Sequence, residues 1–438
     1  MKLFRSLVEL GAFIGVPLAI LACFALFRDA AQIRIGILDF NSDYFLGVMV
    51  AVALAPLLQL PIFPEAHRKV LTLLWLARCG TTLGVMLAYE GYYTLDSAQY
   101  FHRGMQIGDP FSLFAFGQGT DNLEAVTALI LAILPSFTAA KVVYSFVGLI
   151  AVYIVYRAAT LYLRRDMPDL LLVLGVFPSI LFWNSILGKD PITSLGIALV
   201  TLGAVGFLTR RRMIFLVVVA AGLLTAAFIR SWLGLIFLAP LVATIFLTGR
   251  ASLGTKIGFS ILGVPGFLVA LQTFQERFAI QTASDLVQRA DTLSQGWARG
   301  GSAQQIEGGL NSLTDMILFM PVGAFTALFR PLPGEVLNPF GMLAGLENAF
   351  LLGLIVYGVY RRGVGPVLRD PVLLWAILTL LAWSAIYGFV SYQNLGTAFR
   401  FRAQVAPIML LLALYLASGI ATPRARAGPG RAAPTPAE

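Results

Sequence analysis

The residues able to do chemistry fall in a few short stretches. Asp96, Tyr100 and Arg103 are spaced i, i+4 and i+7, so a helix starting at Asp96 puts all three on one face. A carboxylate partly withdrawn from water has its pKa raised toward what a general base needs. Asp at a helix start is equally an N-cap signal. Glu90 is the nearest second carboxylate. Lys189 and Asp190 share a short turn before Pro191. There Lys189 is a compact point charge suited to phosphate, and Asp190 also reads as a cap. Arg230 joins two apolar runs, Arg330 sits in Phe329-Arg330-Pro331-Leu332-Pro333, and Arg400 and Arg402 precede the last apolar run. Guanidinium groups hold phosphate by bidentate hydrogen bonds, either on a substrate or on lipid head groups.

These residues need a scaffold, and composition says which kind. Of 438 residues, 58% are hydrophobic and 12% charged, against about 25% charged in a soluble domain. Such a chain has too little polar surface for water, which excludes a soluble enzyme, a disordered scaffold and a disulfide-stapled secreted domain. The expected class is an all-α, polytopic helical membrane protein. The net charge of +9 then reads as topology, not as nucleic-acid binding. Cys23 and Cys79 lie in apolar runs, and His67 and His102 are the only histidines. No metal spacing, Walker A, GxGxxG, HExxH or GxSxG motif occurs, so no cofactor is expected and a divalent cation is not indicated.

Apolar runs of roughly 17 to 23 residues, enough to cross a bilayer, predict about twelve spans. They lie near 7–27, 44–63, 70–90, 140–162, 170–187, 191–208, 213–229, 232–248, 257–273, 339–360, 371–390 and 404–420. The segments 123–139 and 313–330 carry Pro135 and Pro321 and read as re-entrant or interface-lying pieces. No cleavable signal peptide is expected in the first apolar run. With both termini cytoplasmic, more than half of the 31 Lys and Arg fall in the inner loops and the two termini, among them Arg164-Arg165, Arg210-Arg211-Arg212 and Arg361-Arg362. That is the positive-inside bias. One transmembrane domain, 1–420, is expected, with outer loops 91–122 and 274–338 and a disordered cytoplasmic tail, 421–438. The chemically interesting residues then collect on the outer face. Within the spans, Arg78 and Glu347 need partners or a cavity; nothing in the sequence joins them.

Several stretches together carry a resemblance. They are DxxxY at Asp96–Tyr100, PSxxFWxSxxxKD from Pro178 to Asp190, FRPxP at Phe329–Pro333 and NxGTxxRxR at Asn394–Arg402. In this order, over roughly residues 85–410, they resemble bacterial membrane proteins of surface-polysaccharide assembly in the GT-C superfamily. The resemblance implies a glycosyltransferase using a polyprenyl-phosphate sugar as donor and a glycan or lipid as acceptor. It implies a bacterial inner-membrane location, with Asp96 as base and Glu90 as the second acid. Tyr100, Arg103, Lys189, Arg230, Arg330, Arg400 and Arg402 would bind substrate and leaving phosphate. The superfamily normally has this acid directly after its first span, whereas Asp96 follows the third expected span. A repeat-unit polymerase or ligase, and a non-enzymatic lipid-linked oligosaccharide transporter or assembly subunit, are the competing expectations. A transporter should show internal repeats and several polar midplane groups; no clear repeat is evident and such groups are few.

Overall fold

In a bilayer every backbone N–H and C=O needs an internal partner, so apolar runs of this length close into helices. The computed structural model describes residues 11–93, 95–248, 272, 275, 282–297, 302–304 and 312–418. Among them the chain is helical, with no strand beyond an isolated bridge between Ala303 and Asn394. The expected span at 257–273, the tail at 421–438 and much of the loop 274–311 lie outside the described residues.

In chain order the helices begin with α1 (Val16–Ile35), α2 (Phe40–Leu54) and α3 (Glu65–Tyr92, π-wound over Gly80–Val85). Then come α4 (Asp96–Gln106), α5 (Gly119–Leu131), α6 (Phe137–Leu163), α7 (Pro168–Val176) and α8 (Pro178–Trp183). Next are α9 (Lys189–Arg210), α10 (Ile214–Ile229), α11 (Ser231–Leu247) and α12 (Ala283–Trp297). The chain continues through α13 (Leu313–Phe329), α14 (Pro339–Arg362), α15 (Pro371–Ser391), α16 (Leu395–Arg402) and α17 (Ala406–Ser418).

Seven helices among the described residues are long and apolar enough to cross a membrane, and α16 with α17, bent by 73°, would make an eighth. The expected dozen is not confirmed: the span expected at 257–273 lies outside the described residues, and other runs are short or cut. The run 170–187 is cut at Phe177-Pro178 into α7 of 9 residues and α8 of 6, neither long enough to span. The runs at 213–229 and 232–248 form helices of only 16 and 17 residues. Conversely, the segment expected to be interrupted at 313–330 is one continuous 17-residue helix with Pro321 inside it. The other such piece, 123–139, divides between α5 and the start of α6, where Ser136 caps by accepting from the amide of Ala139.

Helix α9 packs between α6 and α10. The α9–α10 contact is backbone against backbone: a Cβ on Gly196 would lie 2.6 Å from the Ala226 nitrogen, and one on Gly222 2.5 Å from that of Val200. Small residues permit such approach where the hydrophobic effect cannot drive association. At one end of the bundle, Arg361 Nη1 donates to the Ala417 carbonyl (2.8 Å) and the rings of Tyr162 and Tyr415 lie 5.7 Å apart. The C-terminal ends of α6, α14 and α17 therefore meet, and Arg164, Arg165, Arg361 and Arg362 share this basic end. His67, fully buried, locks it: Nε2 donates to Asp166 (2.8 Å) and Nδ1 accepts from the Tyr153 hydroxyl (3.1 Å). Burial opposes ionisation of Asp166, but hydrogen bonds from Tyr156 and His67 outweigh it and hold that carboxyl below the usual range.

Candidate functional site

The other end of the bundle is organised by a buried break. Between α8 and α9 the backbone at Asn184–Gly188 is non-helical and buried, a state tolerated at membrane depth only inside protein. Arg78 on α3, with no exposed surface, satisfies it: Nη1 donates to the Asn184 carbonyl (3.0 Å) and the Ser185 hydroxyl (3.4 Å). Gly148 on α6 leaves the room, since a Cβ there would strike the Asn184 carbonyl and come within 3.0 Å of Arg78 Nη1. Arg78 thus has a backbone partner and does not pair with Glu347. The break turns Trp183 inward and starts α9 at Lys189.

Around that start a charged cluster assembles. Lys189 Nζ donates to the Thr120 hydroxyl (2.7 Å) and lies 6.0 Å from the Tyr100 ring centroid. Asp190, 3% exposed, accepts from Arg400 Nε (2.9 Å), and the Arg400 guanidinium sits over Trp183 at 5.1 Å. Arg230, extended between α10 and α11, stacks over Phe401 at 4.6 Å. Arg230, Arg400, Asp96 and Asp190 all lie within electrostatic reach of Lys189. Three cations from three separate segments thus face two carboxylates. Tyr100 is 5% exposed, and burial, then the charge of Asp96, pushes its phenol up while Arg400 opposes. The phenol stays protonated at neutral pH and is an O–H donor.

Asp96 is the first residue of α4, exposed, and it makes no capping hydrogen bond; Leu95 occupies the N-cap position. Helix α5 is seated by Gly119, where a Cβ would strike the Ile229 carbonyl, and by Asn122 Nδ2 donating to Phe228 O (2.7 Å). That seat brings Thr120 to Lys189 and Glu124 to the rim. Glu124 is 4% exposed, and its Oε2 lies 3.7 Å from Arg103 Nη1. Burial raises its carboxyl pKa, with Arg103 opposing.

Other sequence candidates go elsewhere. Glu90 faces inward from the last turn of α3, in a buried pair with Lys141 at 2.7 Å; both are nearly unexposed. Its charged neighbours are Lys141 and Asp43, because the chain turns at Tyr93 and carries α4 away from it. Arg330 is held by Glu335 (2.7 Å) within its own turn. Burial opposes ionisation of Glu335, but Arg330 and the Leu332 amide outweigh it and hold the carboxyl below the usual range. Arg402, wholly buried, pairs with Glu347 (2.6 Å), which also accepts from the Ser179 amide (2.8 Å). Positions i and i+2 on a helix point to opposite sides, so Arg400 and Arg402 diverge: one enters the cluster and the other staples α14, α8 and α16.

Beside Arg400 opens a cavity of about 660 Å³, within the usual size range of ligand sites. Tyr89, Tyr93, Phe182, Trp183 and Phe340 line one wall, with Tyr89 at 4.9 Å from Phe340 and 5.2 Å from Phe182. Asn338, Asn394, Thr397 and Ser302 supply polar groups. Ser302 is held there because its hydroxyl donates to Asn394 Oδ1 (2.9 Å) and its carbonyl accepts from the Leu395 amide (3.0 Å). Thr120, Glu124 and the Tyr89–Phe340 contact carried no sequence signal, since each depends on how distant helices meet. Among the described residues, no group of three or more His, Cys, Asp or Glu could hold a metal ion. Comparison with family models, with curated proteins and with solved structures gives no match.

Proposed function

We propose that this chain is a membrane glycosyltransferase moving a sugar from a polyprenyl-phosphate carrier to a glycan or lipid acceptor at a bacterial plasma membrane. The observation carrying this reading is the gathering of Lys189, Arg230 and Arg400 around Asp96 and Tyr100, beside the aromatic cavity. The positive-inside bias along the sequence supports an extracytoplasmic position for this end. In the reaction the acceptor hydroxyl oxygen attacks the anomeric carbon and gives its proton to Asp96. The bond from that carbon to the phosphate oxygen breaks, and polyprenyl phosphate leaves with the electron pair. The three cations neutralise charge that grows on the leaving oxygen; charges already in position for the transition state need no reorganisation when the bond breaks. The Tyr100 hydroxyl adds a hydrogen bond. Glu90 is engaged with Lys141, so Asp96 works without it.

The test is complementation of a deletion strain, read as composition of the surface glycans. Asp96→Asn should lower transfer by about 10²–10⁴-fold, the range for loss of a general base, while the protein inserts and accumulates normally. Near-normal glycan from that variant would sink the assignment. Accumulation of single unpolymerised repeats in the deletion strain would identify a polymerase instead.

A further inference from the structure

A second site lies at the basic end, away from the charged cluster. An apolar groove of about 310 Å³ runs between α6, α9, α15 and α17, closed on one side by α7. Its wall is hydrocarbon except near the bundle end, where Tyr162, Tyr415 and Trp375 take part. All three are at least nine-tenths buried. The Tyr415 hydroxyl and Trp375 Nε1 donate no hydrogen bond, whereas the Tyr162 hydroxyl is engaged by Tyr415 and Asp370. Buried donors left without acceptors are costly, and two in one groove point to a ligand that brings acceptors. Arginines stand at the mouth: the Arg362 guanidinium lies over the Tyr415 ring at 4.4 Å, and Arg361 donates to Ala417 O, two residues beyond Tyr415.

We infer that this groove binds one acyl chain of an anionic glycerophospholipid, with its phosphate at Arg361 and Arg362 and its ester carbonyls facing Tyr415 and Trp375. The order of groups along the groove decides the occupant. Trp375 is the fifth residue of α15, about 6–7 Å inside the helix start at 1.5 Å per residue. Donors therefore lie just below the cations, where a glycerophospholipid carries its esters. A polyprenyl phosphate has hydrocarbon at that level and would leave the donors unpaired. Basic pockets between helices on the cytoplasmic side are suited to acidic head groups, and the arginines counted as topology signals thereby gain a ligand. Asp169 lines the groove and Asp370 faces Tyr162; both favour a head group held on the arginine side.

The experiment is native mass spectrometry of the full chain in detergent, titrated separately with phosphatidylglycerol, phosphatidylcholine and a polyprenyl phosphate. The expected result is one phosphatidylglycerol retained in preference to phosphatidylcholine, the preference falling about fivefold for each of Arg361→Ala and Arg362→Ala. Tyr415→Phe, which removes only the hydroxyl, should weaken retention while leaving the thermal midpoint of lipid-free protein unchanged. Equal retention of the two phospholipids, stronger retention of the polyprenyl phosphate, or no effect of the two arginine variants would overturn the inference.

Discussion

At the residue scale, partners decide what a charge can do. Lys141 and Glu90 neutralise one another inside the bundle, and removing either leaves an unpaired buried charge, the costly case. Arg402 and Glu347 form a second such pair, and both pairs are structural. Asp96, Lys189, Arg230 and Arg400 differ because their segments bring more cations than carboxylates together. Glu124 carries a pH consequence. Its pKa is raised by burial first, so ionisation costs more in the folded state than in the unfolded chain. That cost is absent while the carboxyl is protonated in both states. It grows as pH rises above the ordinary glutamate range and through the raised folded value. Glu124→Gln should therefore raise the thermal midpoint at pH 8 and change it little at pH 4, measured by unfolding in detergent at the two values. An equal shift at both would show that Glu124 acts through packing alone.

At the element scale, the site depends on how closely helices meet. Helix α5 is seated on the end of α10 by Gly119 and Asn122, and α10 lies on α9 through Gly196 and Gly222. The chain Gly222–α10–Gly119–Thr120–Lys189 thus connects a membrane-depth contact to the cluster. Gly222→Leu should separate α9 from α10 and cost about 1–3 kcal/mol, the usual range for overpacking. Gly353→Leu is the control, because a Cβ at Gly353 meets nothing within 4 Å. Thermal inactivation in detergent distinguishes them, and equal loss from both would remove the role given to the α9–α10 contact. In the apolar run 170–187 the helix itself gives way. Composition marks it as one span, but Pro178 lacks the N–H that a continuous helix would use. The run breaks, and Arg78 and Glu347 satisfy the backbone around the break.

At the scale of the whole molecule, the basic end and the charged cluster lie at opposite ends of the helices that join them. Helix α9 begins at Lys189 in the cluster and ends at Arg210, and α14 ends at Arg361 and Arg362. This polarity predicts orientation. A reporter fused after Arg212 should read cytoplasmic and one after Gly334 extracytoplasmic; the reverse would place the proposed transfer on the wrong face. The two proposed ligands, a lipid-linked sugar and an anionic phospholipid, then belong to opposite leaflets.

Fold class was legible in the residues, because 58% hydrophobic composition and repeated apolar runs leave helices as the way to satisfy the backbone in lipid. So was the clustering of Arg164, Arg165, Arg361 and Arg362, which share one end of the bundle, because charge near span ends follows a simple asymmetry. The span count was less legible: hydropathy measures how apolar a run is, not whether a proline cuts it. At the site, Asp96, Tyr100, Lys189, Arg230 and Arg400 stood out by type and spacing, and they do come together. Glu90, Arg330 and Arg402 stood out equally, yet each is taken by a partner. Sequence lists which charges exist, but pairing depends on distances of a few ångströms between helices far apart in the chain. Only tertiary structure sets those distances, and so it alone separates isolated ion pairs from the cluster in which Lys189, Arg230 and Arg400 outnumber Asp96 and Asp190.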